Sequence, residues 1–322
     1  MCSKGLFLER QQLDFKGQHI ISIRDLKKKE LLKIIDCASQ MDAEAPGDLL
    51  KGKILATLFF EPSTRTRLSF ESAMNRLGGN NVGFSDPKSS SAQKGESLSD
   101  TIEMVNGYAD VIVIRHPIEG SARFASMGSK IPIINAGDGA NQHPTQTLLD
   151  LYTIEETQSK ILSQEKETLK IGMVGDLKYG RTVHSLTIAL SMFKCEFYFI
   201  APEILKMPED YVNIATESHC KVHQLKELEE IIPDLDILYS TRIQAERFFD
   251  KNEYNSVKNA YVLKTDMFKN VKDNFKILHP LPRIEEIDKA VDQLDCAYYF
   301  KQATNGIPVR QAILSLALGA IS

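Results

Sequence analysis

The sequence predicts an α/β protein built as two doubly wound parallel-sheet domains, and three observations carry that prediction. With 322 residues the chain is long enough for two domains of ordinary size. Short apolar runs alternate with segments of helical period in both halves, the pattern of parallel strands joined by helical crossovers. Between the halves, residues 155–168 are predominantly polar and interrupt the series. The expected division is 1–150 for the first domain, 151–305 for the second, and 306–322 for a closing helix.

From Ser22, Ile23-Arg24-Asp25-Leu26 opens a helical pattern through Leu31, Leu32, Ile35, Ala38 and Met41 that ends near Pro46-Gly47. The apolar run 54–60 reads as a short buried strand closed by Pro62. Ser63 and Thr64 offer N-cap chemistry, and Leu68, Phe70, Ala73, Met74 and Leu77 continue as a helix that Gly78-Gly79 stops. Ser63, Thr64, Arg65, Thr66 and Arg67 therefore place three hydroxyls and two guanidinium groups on the first turn of a helix, where backbone N–H groups lack partners. Free donors, the positive dipole end and planar arginine forks suit a phosphate. A plain capped helix with solvated arginines is the alternative, disfavoured by the density of the cluster.

Residues 81–84 read as a brief strand. The stretch 85–97 is rich in Ser, Lys and Gly, and is either a linker or a functional loop that carries Lys94 to the start of a helix over 98–108. The strand 111–114 ends on Arg115-His116-Pro117, which delivers a guanidinium to a strand's carboxyl end, where open α/β sheets bind ligands. A strand over 131–134 leads into a glycine-bearing turn, and His143-Pro144-Thr145-Gln146 opens a long helix. At that position the helix dipole disfavours imidazolium, so His143 is expected to be neutral; a purely structural cap is the alternative.

The second half continues with a strand from Leu169 to Val174, a helix over 181–193, and a strand over 196–201. A helix over 208–218 and strands at 222–225 and 237–240 follow. Gly172, Gly175 and Gly180 do not spell Gly-x-Gly-x-x-Gly, so dinucleotide binding has no support. His219, Cys220 and His223 lack a further ligand nearby, and neither a metal nor another cofactor is expected. Arg242, Gln244 and Arg247 follow one strand; His279-Pro280-Leu281-Pro282-Arg283 follows another. The segment 309–320 reads as an amphipathic helix.

Composition narrows the function classes. Thirty-nine basic against 43 acidic residues give a formal charge of −4, which argues against a nucleic-acid partner. Five widely spaced cysteines without a Cys-x-x-Cys pair suit reduced thiols in a cytoplasmic protein. The first twelve residues lack the pattern of a signal peptide, and the longest apolar tract, 312–321, is too short to span a membrane. Collected after strands or at helix starts are Arg65, Lys94, Arg115, Arg181 and Arg242, with His143, Gln146 and Gln244 and no acid or cysteine nucleophile among them. Such a set stabilises developing charge without a covalent intermediate. The residues by themselves point to a transferase that moves a group from a phosphate-bearing donor to a carboxylate-bearing acceptor.

In combination, Phe-Glu-Pro-Ser-Thr-Arg-Thr-Arg (60–67), Lys-Gly-Glu (94–96), Arg-His-Pro (115–117), Gly-Asp-Gly-x-Asn-Gln-His-Pro-Thr-Gln (137–146), Val-Gly-Asp-Leu-Lys-Tyr-Gly-Arg-Thr (174–182) and His-Pro-Leu-Pro-Arg (279–283) resemble the aspartate/ornithine carbamoyltransferases, on the aspartate side, from about residue 18 onward. The resemblance implies two domains joined by long helices, with the C-terminal helix packed back on the first. It implies carbamoyl phosphate held by Ser63, Thr64, Arg65, Thr66, Arg115, His143 and Gln146, and L-aspartate held by Arg181, Arg242, Gln244, Leu281 and Pro282. Glu61 is implied as a domain-closure partner of Arg181 and Arg247. A homotrimer with shared sites is also implied, Ser90 and Lys94 reaching the neighbouring pocket, and separate regulatory chains are a further partner it allows. Gln93 departs from the second basic residue that members often carry beside the lysine. Ornithine-specific members typically read His-Cys-Leu-Pro where this chain has His279-Pro280-Leu281-Pro282, and ornithine's cationic side chain does not suit Arg242.

Overall fold

In the computed structural model, which describes residues 13–44, 46–86, 94–243, 248, 250–258 and 260–321, a single 3₁₀ turn (Ile23–Asp25) precedes the first long helix. The first half then runs α1 (Lys28–Ala43), β1 (Ile54–Phe59), α2 (Thr64–Arg76), β2 (Asn80–Phe84), α3 (Leu98–Val105), β3 (Val111–His116), α4 (Ser121–Gly128), β4 (Ile133–Asp138) and α5 (Pro144–Thr157). The second half runs α6 (Ile161–Gln164), β5 (Leu169–Val174), α7 (Arg181–Leu190), β6 (Cys195–Ile200), α8 (Glu209–Glu217), β7 (Lys221–Leu225), β8 (Ile237–Ser240), α9 (Lys251–Val257), β9 (Lys276–Leu278), α10 (Tyr299–Thr304) and α11 (Gly306–Ala317).

The strands form two sheets, ordered β2–β1–β3–β4 and β7–β6–β5–β8–β9, and every pairing is parallel. Central strands are covered by helices on both faces, as parallel sheets require: β8 is buried at every position and β1 at all but its first. The edge strands β2 and β7 carry only exposed and partly buried residues instead. In each sheet the chain leaves a central strand in one direction and returns on its other side. That places a switch point at the carboxyl ends of β1 and β3, and a second at those of β5 and β8, the positions where such sheets bind ligands.

Three of the elements that differ from the sequence expectation do so for a local reason. The first helix does not run on from Ser22: Leu26 is extended (φ −100°, ψ 136°), and α1 starts only after Lys27, whose N–H is held by Glu30 Oε2 at 2.6 Å. β4 extends through Asn135-Ala136-Gly137-Asp138, which read as a turn. Its ladder is prolonged because Ile20 N–H donates to Ile133 O and Asn135 N–H to Ile20 O, while the buried Asn135 side chain bonds Ile21 O and Asp138. α7 ends at Leu190 rather than 193, where Met192 and Phe193 turn back onto the carbonyls of Ala189 and Leu190 before β6 begins.

The closing helix is also not amphipathic. Every residue of α11 except Ile307 is buried, because it packs against α1, α2 and α5 and so lies against the first sheet's helices. Val309, Ile313, Leu314 and Leu316 are sealed there, each burial contributing about 1.5–3 kcal/mol. No helix among the described residues is long and apolar enough to cross a membrane.

Candidate active site

β1 ends beside β3 with Phe59 paired to Arg115, so the arginine leaves its strand next to the start of α2. Ser63 is the N-cap of α2 yet makes no side-chain capping bond, and no acid occupies the first turn. The N–H groups of that turn are thus left without a side-chain acceptor. Arg115 donates through Nη1 to Ala136 O (3.2 Å), and its Nη2 lies 3.0 Å from Glu61 Oε2. Burial lowers its pKa from the ordinary guanidinium value while Glu61 pulls it back up. Arg65 is lowered by burial and then by repulsion from Arg115. A guanidinium that burial and the neighbouring Arg115 both push down favours an anion beside it.

The second sheet supplies the opposite wall. Gly175 follows β5 with φ +114°, and a Cβ there would stand 2.3 Å from Thr241 O, so only glycine lets the ends of β5 and β8 come this close. Thr241 holds the turn by accepting from Asp176 N–H at 2.9 Å, and Arg242 follows it into the cavity. Arg181 is the first residue of α7, whose N-cap Gly180 has no side chain to cap it, and its Nη1 donates to Gly139 O. At Gly137 (φ +119°) an added Cβ would lie 3.1 Å from Arg115 Nη1 and 3.4 Å from Arg181 Nη2. Arginines of both sheets therefore converge on one backbone position.

His143 sits between them as the N-cap of α5, with Pro144 following. It is 6% exposed, its Nδ1 lies 3.4 Å from Thr145 Oγ1, and its pKa is pushed well below the ordinary 6.5 by burial first, then by Arg181, Arg115 and Arg310. A neutral ring can donate one hydrogen bond without adding a sixth cation to the site. The His143 ring resonance in an NMR pH series is accordingly expected to stay flat between about pH 6 and 8. The sign for stability follows: the unfolded chain binds the proton first, so the contribution of this residue falls as pH drops through 6.5. A midpoint near 6.5 would mean a solvated, titrating imidazole instead.

One cavity of about 740 Å³ gathers Glu61, Ser63, Thr64, Arg65, Thr66, Arg115, His143, Gln146, Arg181, Arg242, Leu281 and Pro282. Lys94 is exposed and does not line it; Ser90, Gln244 and Arg247 lie outside the described residues. Glu61 forms an ion pair with Arg115, because β1 and β3 end side by side; of its two expected closure partners, Arg247 lies outside the described residues. Among the lining residues without a role in the sequence analysis are His279, Gln302 and Arg310. Arg310 is 3% exposed, lies over the ring of Phe70 at 5.0 Å, and burial pushes its pKa down to about 10. As the one cation between residues 307 and 320, it carried a readable signal. His279 stood in the His-Pro-Leu-Pro-Arg strand end, whereas Gln302 carried no signal, since its relevance comes from contacts distant in sequence.

The uncapped N-termini of α2, α5 and α7, five arginines and a neutral histidine thus face a single cavity, an arrangement made for a polyanionic ligand pair. The family model for aspartate/ornithine carbamoyltransferase, carbamoyl-P binding domain, matches residues 18–156, and that for the Asp/Orn binding domain matches 167–317. The chain belongs to the aspartate/ornithine carbamoyltransferase family. Among the members of that family it is 53% identical over 313 residues to the aspartate carbamoyltransferase catalytic subunit of Thermococcus kodakarensis, covering 96% of this chain and 99% of the relative. To that of Bacteroides fragilis it is 54% identical over 310 residues, covering 94% and 97%. The fold is similar to the catalytic subunit of M. jannaschii aspartate transcarbamoylase (54% identity, 93% of this chain and 97% of that one, TM-score 0.85). It is also similar to the Trypanosoma cruzi aspartate transcarbamoylase solved with N-(phosphonacetyl)-L-aspartic acid (36% identity, 94% and 97%, TM-score 0.86).

Proposed function

We propose that the chain transfers the carbamoyl group of carbamoyl phosphate to the amino group of L-aspartate, giving N-carbamoyl-L-aspartate and phosphate for pyrimidine biosynthesis. The observation that carries this is the convergence of Arg65 and Arg115 from the first sheet with Arg181 and Arg242 from the second on one cavity. Family relatives with the same architecture bear that activity in their names. In this reading Ser63, Thr64, Arg65 and Thr66 hold the phosphate at the start of α2, within residues 1–150, and Arg181 and Arg242 hold the two carboxylates of aspartate from residues 151–305. The amine attacks the carbonyl carbon, and Thr66, Arg115 and His143 donate to the oxygen as it gains charge. Gln146 and the carbonyls of Pro280 and Leu281 accept from the carbamoyl amine. Phosphate leaves already neutralised. Holding two anions against their own repulsion supplies much of the rate.

Aspartate is favoured over ornithine by charge. An ammonium brought against Arg242 would cost on the order of several kcal/mol. We expect carbamoyl aspartate from L-aspartate and no citrulline from L-ornithine in a colorimetric assay; measurable citrulline would overturn the acceptor assignment. For a non-catalytic homologue neither product would form.

The active unit in this reading is a cytoplasmic homotrimer whose sites are completed across subunit boundaries. Lys94 stands exposed outside the cavity of its own chain, and large apolar side chains of the first domain are exposed, among them Leu68 (51%), Met104 (54%) and Tyr108 (58%). The free thiols Cys37, Cys195 and Cys220 are buried, which suits a reducing compartment.

A further inference from the structure

Gln146 is oriented by a bond on the side away from the ligand. Its Nε2 donates to Asp150 Oδ1 at 2.9 Å, one turn further along α5, which leaves the acceptor end of the amide for whatever occupies the cavity. Asp150 is fully buried, and the same Oδ1 accepts from Gln302 Nε2 at 2.7 Å while Oδ2 accepts from Tyr239 OH at 2.8 Å. The far end of Gln302 continues the chain of bonds: its Oε1 accepts from His279 N–H at 2.8 Å, and His279 Nδ1 accepts from Leu281 N–H at 2.8 Å. His279 Nε2 is held in turn by Glu286 Oε1 at 2.9 Å, which fixes the ring. Burial raises the Asp150 carboxyl to about 7, against the pull of its three donors and of Arg310. So costly a buried acid, engaged on both oxygens, is more than a residue of the core needs.

We propose that Asp150 is a positioning residue for the transfer: it turns the Gln146 amide acceptor-outward and, through Gln302 and His279, sets the backbone of Pro280 and Leu281, so that one buried carboxylate aligns both groups that receive the carbamoyl amine. The inference rests on the reading above that these groups receive it. Physically, the acceptors are aligned before substrate arrives, and the transition state does not have to organise them. Tyr239, from β8, ties the same carboxylate to the second sheet, so the alignment spans both domains.

A double-mutant cycle tests this in the full chain. Asp150→Ala is expected to lower kcat about 10–100-fold, the cost of a small misplacement at the reacting group, while the affinity for inorganic phosphate, measured by calorimetry, stays nearly unchanged. Added to Gln146→Ala, Asp150→Ala should cost less than it does alone, because one of its two branches is already gone. Asp150→Asn should recover most of the loss, since its oxygen can accept from both glutamines and its amide can donate to Tyr239. Fully additive losses, wild-type kcat in Asp150→Ala, or phosphate affinity that falls in step with kcat would each overturn the proposal. Should Asp150→Ala not fold, Gln302→Leu breaks the branch to His279 alone; an unchanged kcat there overturns it equally. A wild-type chain that forms no carbamoyl aspartate would instead sink the functional reading, so the two failures are distinguishable.

Discussion

An Arg115→Ala chain is expected to turn over roughly a thousandfold more slowly than the wild type, the loss associated with one charged donor at a developing oxyanion. In the proposed reaction Arg115 is the guanidinium that the first sheet brings to the carbonyl oxygen: Ala136 O holds one terminal nitrogen, Glu61 the other, and Gly137 leaves it room. Stability should change far less than activity. Truncation leaves Glu61 without its ion pair, but the Glu61 side chain is 37% exposed and water can solvate it. Thermal unfolding within a few degrees of wild type, beside the collapse of turnover, is therefore the expected pair of readings. A parallel loss of fold and activity would mean that Arg115 is chiefly structural. Because the interaction strengthens as charge develops, kcat should fall more than carbamoyl phosphate affinity.

The second large effect concerns assembly. Arg65→Ala removes a planar phosphate donor and should cost a few orders of magnitude, and Lys94→Ala should be similarly poor. Mixed after unfolding and reassembled, the two inactive chains are expected to regain part of the wild-type activity. In a cyclic trimer each site would combine one subunit's phosphate helix with its neighbour's loop, so some hybrid sites receive both wild-type parts. The exposed position of Lys94, outside its own chain's cavity, motivates the experiment. Hybrids no more active than either parent would show that the loop serves its own subunit.

The strand-to-helix junction at Ser63 was legible in the sequence because all its determinants are local. An apolar strand, a proline stop, cap-forming hydroxyls and two arginines stand within a dozen residues, and no distant contact is needed to decide what they form. The same holds for Arg115, Arg181 and Arg242, each delivered by a strand end or helix start that its own neighbours specify. What a residue pairs with across the fold was not legible. Glu61 meets Arg115 because β1 and β3 are neighbours in the sheet. Asp150 meets Tyr239 and Gln302 across 89 and 152 residues of chain. Periodicity gave α11 the wrong face, since a helix enclosed by three others has no solvent side to mark. The sequence by itself thus determined the α/β class, the strand-end arginines and the arginine-bearing helix start, which short-range sterics and capping specify. The tertiary structure alone decided which buried polar groups orient them, because a buried hydrogen-bond network exists only once distant segments exclude water together.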